Sequence, residues 1–114
     1  MLAVLLPEAE LLPLLSERLS ISLINGPNLC VVAGPVSEMA EFETNLNTKG
    51  ILSRRIQNGH AFHSPMLDPI VQSFEHEVRK VRLNNPTIPY ISNVTGRWIT
   101  SSEATNPAYW AMHV

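Results

Sequence analysis

Strand-like and helix-like patterns of hydrophobic residues alternate along the first half of the chain. The apolar run Met1–Leu6 predicts a short buried strand. Ser20–Asn25 and Leu29–Ala33 predict two more strands, and Ile51–Gln57 predicts a fourth. Because only the turn Asn25-Gly26-Pro27 separates the second strand from the third, we expect these two strands to pair as a hairpin.

Two helices are predicted between these strands. The first begins at Pro7. Its apolar face consists of Leu12, Leu15 and Leu19. The second follows Ser37, a suitable N-cap, and ends before Gly50, a usual residue just beyond a helix. The order β-α-β-β-α-β over residues 1–57 is the ferredoxin-like pattern, so this region is predicted to form a small α+β subdomain.

The second half of the chain, residues 58–114, begins with the pattern of a long amphipathic helix. Ser64 and Pro65 are a plausible N-cap and first helical residue. Glu75 and Arg79 form a favourable i, i+4 pair on this helix. The apolar residues at helical spacing are Leu67, Ile70, Val71, Phe74, Val78 and Val81.

One strand and one further helix are predicted after this helix. Ile88–Val94 shows little alternation, which is typical of a strand buried on both faces of a sheet. Residues 100–106 are polar and predict a loop, and Pro107–Val114 begins a helix. Since such a strand needs cover on both faces, we expect residues 58–114 to be part of a larger α/β core whose remainder lies outside this chain.

Composition narrows the classes of function. The 114 residues carry a net charge of −2, which argues against a nucleic-acid partner, since such a partner favours a basic surface. No apolar run approaches the roughly 18 residues of a membrane span. Met1–Leu6 lacks the basic flank of a signal peptide, so we expect a cytoplasmic protein. The lone Cys30 excludes a disulfide within the chain and a zinc–thiolate cluster.

The segment Gly59–Met66 carries the strongest candidate chemistry, because His60 and His63 directly precede a predicted helix. The positive end of a helix dipole disfavours the imidazolium and keeps a histidine neutral, as a general base requires. A metal site at these histidines is not expected, since the spacing places no third ligand. On spacing alone, the favoured interpretation is that both are polar loop residues.

Five sequence blocks occur in an order and at spacings that resemble the acyltransferase domain of modular type I polyketide synthases. That domain is similar to malonyl-CoA:acyl carrier protein transacylase. The resemblance implies a large α/β-hydrolase-like subdomain with a ferredoxin-like insert, matching residues 58–114 and 1–57 respectively. The blocks are Asn25-Gly26-Pro27, Val32-Ala33-Gly34-Pro35, His60-Ala61-Phe62-His63-Ser64-Pro65-Met66, Ser92-Asn93-Val94-Thr95-Gly96 and Asn106-Pro107-Ala108-Tyr109-Trp110.

The resemblance implies a malonyl transfer from coenzyme A to the phosphopantetheine thiol of an acyl carrier protein, with no bound cofactor. His63 then corresponds to the general base that activates a serine. Asn106 corresponds to the residue whose backbone carbonyl orients that histidine, with a simple N-cap before Pro107 as the alternative. His60 and Phe62 belong to the block that reports malonyl selectivity, and ordinary core packing is the alternative for Phe62.

One departure from this family is large, because the chain contains no Gly-x-Ser-x-Gly nucleophile motif. We therefore expect the nucleophile in an upstream half of the domain and predict that these residues alone are inactive. Arg54 and Arg55 are candidate docking residues for the acidic carrier protein, with a solvated strand edge as the favoured alternative. A free-standing ferredoxin-like binding module without catalysis is one alternative function. A serine hydrolase of related fold, which needs the same nucleophile motif but no carrier protein, is another.

Overall fold

The computed structural model describes residues 1–57 and 59–114, and these separate into two units, residues 1–67 and 68–114. Asn58, where the predicted second domain begins, lies outside the described residues, and the predicted domain boundary stays a prediction. Short 3-10 turns cover Leu12–Leu14 and Pro65–Leu67. The other elements are β1 (Leu2–Val4), α1 (Glu8–Leu11), β2 (Ser20–Gly26), β3 (Leu29–Ala33), α2 (Val36–Thr48), β4 (Ser53–Arg55), α3 (Asp68–Val78), α4 (Ser101–Ala104) and α5 (Pro107–Ala111).

The sheet of the first unit has the strand order β2-β3-β1-β4, and every neighbouring pair is antiparallel. The helical connections from β1 to β2 and from β3 to β4 each pass over one intervening strand. This is the ferredoxin-like topology, so the predicted fold class is confirmed. The predicted hairpin of β2 and β3 is also present, with Ser20 opposite Ala33 and Gly26 opposite Leu29.

One face of this sheet and helix α2 enclose the hydrophobic core of the first unit. Cys30 lies in this core, and burial, with a smaller contribution from the Glu8 carboxylate, raises the pKa of its thiol. Full burial of a leucine-sized side chain contributes roughly 1.5–3 kcal/mol. The core residues are Leu2, Val4, Leu11, Leu19, Cys30, Val32, Met39, Phe42 and Leu46.

The first predicted helix is shorter than its apolar spacing indicates. Helix α1 ends at Leu11 and continues only as a 3-10 turn that contains Pro13. Proline has no N–H to donate and its ring clashes with the carbonyl four residues earlier, so the α-helix cannot run through it. The predicted apolar face is therefore wrong: Leu12 is exposed, and Leu19 reaches the core from the segment beyond the helix.

The second predicted helix is correct at its end and wrong at its start. Helix α2 begins at Val36, so Pro35 occupies the N-cap position and Ser37 is already helical. Pro35 has the extended backbone of an N-cap, and its carbonyl accepts the first helical hydrogen bond from Met39 at 2.9 Å. Gly50 has a φ of 69°, the left-handed conformation that glycine adopts just beyond a helix without steric cost.

The predicted strand Ile88–Val94 does not form in the second unit. Among the described residues, this segment makes a single bridge, between Ile91 and Trp98, around a turn at residues 92–96. Pro89 lies inside the segment and has no N–H for a ladder of hydrogen bonds. Ile88 is 77% exposed, so the apolar composition of the segment does not correspond to burial within this unit.

The predicted loop at residues 100–106 contains the short helix α4, which a capping box stabilises. The Thr100 hydroxyl accepts a hydrogen bond from the Glu103 amide, and the Glu103 carboxylate accepts one from the Thr100 amide at 2.8 Å. The hydrogen bonds from the Thr100 amide and hydroxyl lower the pKa of Glu103. The signal was present in the sequence, since Thr-x-x-Glu is the pattern of a capping box.

Helix α3 confirms the predicted amphipathic helix over a shorter range. It ends at Val78, and the predicted pair of Glu75 and Arg79 is present. Helix α3 packs against α5, yet none of its own residues is fully buried. Within the described residues, no helix is long and apolar enough to cross a bilayer.

Candidate functional site

The candidate segment is a tight turn that leads into the 3-10 turn Pro65–Leu67. The Ser64 hydroxyl donates a hydrogen bond to the Ala61 carbonyl at 2.6 Å. The Ser64 carbonyl accepts one from the Leu67 amide at 3.0 Å. Pro65 suits this position because the first residue of a helix has no partner for an N–H. Ser64 therefore fixes the backbone on both sides of itself, directly after His63.

His63 adopts a backbone conformation that most side chains avoid. Its φ is 56°, and it is the one non-glycine residue with a positive φ among those the structure describes. Such conformations cost free energy and persist where the surroundings hold them, which is frequently at functional sites. The side chain is exposed, and its ring makes no hydrogen bond within the described chain. Both ring nitrogens are thus open to a proton donor or acceptor.

The rings of His60 and Phe62 lie against each other in an edge-to-face arrangement. Their centroids are 5.8 Å apart and their planes are inclined by 76°. Phe62 is 45% exposed, so ordinary core packing does not account for it within this unit. The turn therefore presents an aromatic surface beside the catalytic candidate.

Asn106 is the N-cap of helix α5. Its side-chain oxygen accepts a hydrogen bond from the Ala108 amide at 3.0 Å. Its backbone carbonyl accepts one from the Tyr109 amide at 3.1 Å. A carbonyl oxygen has two lone pairs, so the second lone pair is available to another donor. Asn106 therefore acts as an N-cap, which was the alternative interpretation of this residue. The orientation of His63 by its carbonyl stays a prediction.

Arg54 and Arg55 lie on β4, at one edge of the sheet. The Arg55 guanidinium pairs with Glu43 of α2 at 2.6 Å, so its charge is largely satisfied. Successive strand residues face opposite sides of a sheet, and Arg54 accordingly lies on the face away from α2. Arg54 is exposed and, among the described residues, pairs with no carboxylate.

The sequence pattern does not predict one buried polar cluster of the second unit. The Tyr109 hydroxyl donates a 2.6 Å hydrogen bond to the buried Ser92 hydroxyl. Both residues belong to blocks that carried the family resemblance, but nothing in the local pattern pairs them. Within the described residues, no three side chains of the metal-ligating types converge.

The chain belongs to the acyl transferase domain family, which matches residues 1–113. It is 32% identical over its whole length to a phenolphthiocerol/phthiocerol polyketide synthase chain of Mycobacterium tuberculosis, of which it spans 8%. It is 35% identical to the mycoketide-CoA synthase of the same species and spans 3% of that protein. The chain is thus a small part of the length of these relatives.

Solved structures of acyltransferases share this fold. The acyl transferase domain of SpnD, solved with 2-(pent-4-yn-1-yl)malonyl, matches 98% of the chain with a TM-score of 0.90 and 39% identity, and 28% of that solved chain is covered. Malonyl CoA-acyl carrier protein transacylase from Burkholderia pseudomallei matches 98% of the chain with a TM-score of 0.85 and 26% identity, and 40% of it is covered. The predicted resemblance is therefore confirmed.

Proposed function

We propose that this chain supplies the general base of an acyltransferase that moves a malonyl group from coenzyme A to the phosphopantetheine thiol of an acyl carrier protein. The base is His63. The observation that carries the proposal is its left-handed backbone in a turn that Ser64 holds, with the imidazole exposed and both nitrogens open. Backbone strain of this kind is typical of residues that must present a side chain in one direction.

In this proposal the nucleophile is a serine that the rest of the domain provides. The serine oxygen gives its proton to His63 and attacks the thioester carbonyl carbon, and the C–S bond breaks as the coenzyme A sulfur takes the proton from His63. In the second half-reaction the phosphopantetheine thiol gives its proton to His63, and its sulfur attacks the acyl ester. The serine oxygen then leaves and recovers the proton.

The malonyl preference is assigned to the aromatic pair His60 and Phe62. The exposed Phe62 ring would fill the space that the methyl group of methylmalonyl needs. Excluding one methyl group from a pocket is worth about 1–3 kcal/mol, or roughly 10–200-fold in rate. Phe62 thus biases the choice of substrate, and other residues of the complete domain share in it.

Carrier-protein docking is assigned to Arg54 rather than Arg55. The acidic carrier meets an open positive charge at Arg54, whereas Arg55 already pairs with Glu43. Complementary charge of this kind chiefly raises the rate of association. Arg54→Glu should therefore raise the KM for the carrier and leave acylation by malonyl-CoA unchanged. Arg82→Glu, an equal change of charge in the second unit, is the matched control.

The test uses a hybrid enzyme, defined as the SpnD acyltransferase domain with its matching segment replaced by residues 1–114. We would incubate it with malonyl-CoA and with methylmalonyl-CoA and follow the mass of the intact protein. The proposal predicts a malonyl adduct that forms quickly on the parent and slowly on His63→Ala. His76→Ala, which removes an exposed histidine from α3, should match the parent. On the parent, we expect less methylmalonyl adduct than malonyl adduct. An increase in the amount of methylmalonyl adduct in Phe62→Ala would support the role of Phe62.

A folded hybrid that forms no adduct with either thioester would contradict the proposal and favour the binding-module alternative. An adduct that forms as fast on His63→Ala as on the parent, with either thioester, would show that His63 is not the base.

A further inference from the structure

Phe62 and His63 are the two central residues of a turn that the Ser64 side chain closes. The Ser64 hydroxyl donates a 2.6 Å hydrogen bond to the carbonyl of Ala61, at the other end of the turn. Both central residues therefore lie inside the loop that this hydrogen bond closes. In the proposed function, Phe62 favours malonyl over methylmalonyl and His63 is the base. A single hydroxyl thus closes the segment that carries both roles.

The backbone conformation of His63 is one that a histidine does not favour by itself. The third residue of a four-residue turn can adopt a positive φ, but glycine or asparagine usually occupies that place. His63 has a φ of 56° at this place. For a residue with a Cβ, a left-handed backbone is disfavoured roughly 5- to 30-fold. The contacts of the turn must therefore hold His63 against its local preference.

Ser64 is itself fixed by the residues that follow it. Pro65 restricts the backbone of the preceding residue to extended conformations. The Ser64 carbonyl accepts a hydrogen bond from the Leu67 amide at 3.0 Å, at the end of the 3-10 turn. The hydroxyl proton of Ser64 is already donated to the Ala61 carbonyl. Ser64 therefore acts on the reaction through the backbone of the turn and not as an acid or a base.

We propose that Ser64 is a positioning residue for acyl transfer, because its hydroxyl holds the turn that presents both the His63 imidazole and the Phe62 ring. This inference rests on the proposed function of those two residues. A hydrogen bond of ordinary net strength shifts an equilibrium roughly 2- to 13-fold. This is the same order of magnitude as the preference that His63 has to overcome. Loss of the hydroxyl should therefore release the turn in a large fraction of the molecules, which slows acylation and weakens the malonyl preference.

The experiment compares Ser64→Ala, Ser64→Thr and Ser64→Val in the hybrid enzyme with malonyl-CoA and with methylmalonyl-CoA. Threonine keeps the hydroxyl, whereas valine has nearly the same shape without it, so this pair isolates the hydrogen bond. We expect Ser64→Ala and Ser64→Val to lower the rate of malonyl-enzyme formation about 2- to 13-fold. The ratio of the malonyl rate to the methylmalonyl rate should also fall in both. Ser64→Thr should stay close to the parent in rate and in ratio.

Ser22→Ala separates a positioning role from a merely structural one. The Ser22 hydroxyl also donates to a backbone carbonyl, that of Val31 at 3.2 Å, and it lies in the same unit on strand β2. Its loss removes a hydrogen bond of the same kind outside the turn. Ser22→Ala should therefore lower the Tm of the hybrid enzyme and leave both the acylation rate and the ratio of rates unchanged.

Three results would overturn the inference: hydroxyl-free variants as fast and as selective as the parent, a Ser64→Thr variant as slow as Ser64→Val, or an equal slowing by Ser22→Ala. Slower Ser64 variants with an unchanged ratio of rates would contradict the part that concerns Phe62. If one hydroxyl-free variant does not fold, the other decides. Because His63→Ala is measured beside them, a slow His63→Ala with a fast Ser64→Ala contradicts only this inference. A fast His63→Ala contradicts the proposed function on which it rests.

Discussion

The two units of this chain are stabilised in different ways. Residues 1–67 enclose a core of nine buried hydrophobic residues between a sheet and a helix. In residues 68–114, full burial is confined, among those described, to Ser92, Ala104, Tyr109 and Ala111. The second unit relies on a buried hydroxyl pair, a capping box and an indole hydrogen bond. Burial of apolar area is the larger stabilising term, so we expect the first unit to be the more stable.

Substitutions in the core of the first unit should have the largest effect. Leu46 of α2 is fully buried, and Leu46→Ala should lower the free energy of unfolding by about 2–5 kcal/mol. Ile70 of α3 is half exposed, and Ile70→Ala should cost less than about 1 kcal/mol. Urea unfolding followed by circular dichroism measures both. Equal losses for the two variants would contradict the difference between the units.

The buried hydroxyl pair should produce the next largest effect. Ser92→Ala leaves the Tyr109 hydroxyl and two backbone amides without their acceptor, at a cost of about 1–3 kcal/mol. Tryptophan fluorescence measures this loss in the second unit, because Trp98 and Trp110 both lie there. The matched control is Ser73→Ala at an exposed position of α3, which should change little. An effect of Ser92→Ala no larger than that of the control would show that the network does not stabilise this unit.

The capping box of α4 should make the second unit sensitive to acid. Hydrogen bonds from Thr100 lower the pKa of Glu103, so the folded state favours its carboxylate. This stabilisation is complete above the ordinary pKa of 4.5 and is lost as the pH falls through the lower folded value. Glu103→Ala should thus be less stable than the parent at pH 7, and the gap should narrow in acid. A gap that is constant from pH 7 to 3 would contradict the account.

The smallest effect is expected at Ser53 in the first unit. Its hydroxyl is buried and, among the described residues, has no hydrogen-bond partner. Ser53→Ala should therefore leave the free energy of unfolding unchanged or raise it by less than about 1 kcal/mol. Ser22, whose hydroxyl donates to the Val31 carbonyl, is the control, and Ser22→Ala should cost about 0.5–1.5 kcal/mol. A clear loss at Ser53 would reveal a partner for its hydroxyl.

The fold could be predicted where short-range signals decide it. Alternation and turn residues located β2, β3 and the end of α2, and the order of elements then limited the topology. Two errors arose where a proline outweighs hydrophobic spacing, at Pro13 and Pro89. A third error was the loop predicted at residues 100–106. The polar composition favours a loop, but the capping box of Thr100 and Glu103 is a local signal for a helix.

The candidate site was less predictable because its geometry depends on backbone conformation and on distant partners. The sequence placed His63 before a helix, but no rule predicts a left-handed backbone at a histidine. Ser92 and Tyr109 are 17 positions apart, and only the folded chain brings their hydroxyls together. The resemblance to acyltransferase domains identified His63 as the candidate base, and the structure added the backbone conformation and hydrogen bonds of the turn that holds it.

The most direct test of the central claim follows the carrier protein rather than the enzyme. The hybrid enzyme, its His63→Ala variant and its His76→Ala variant would be mixed with malonyl-CoA and a phosphopantetheinyl carrier protein, and the mass of the carrier recorded over time. We predict rapid malonylation of the carrier by the parent and by His76→Ala, and little by His63→Ala. Equal rates for His63→Ala and the parent would show that this chain does not supply the base.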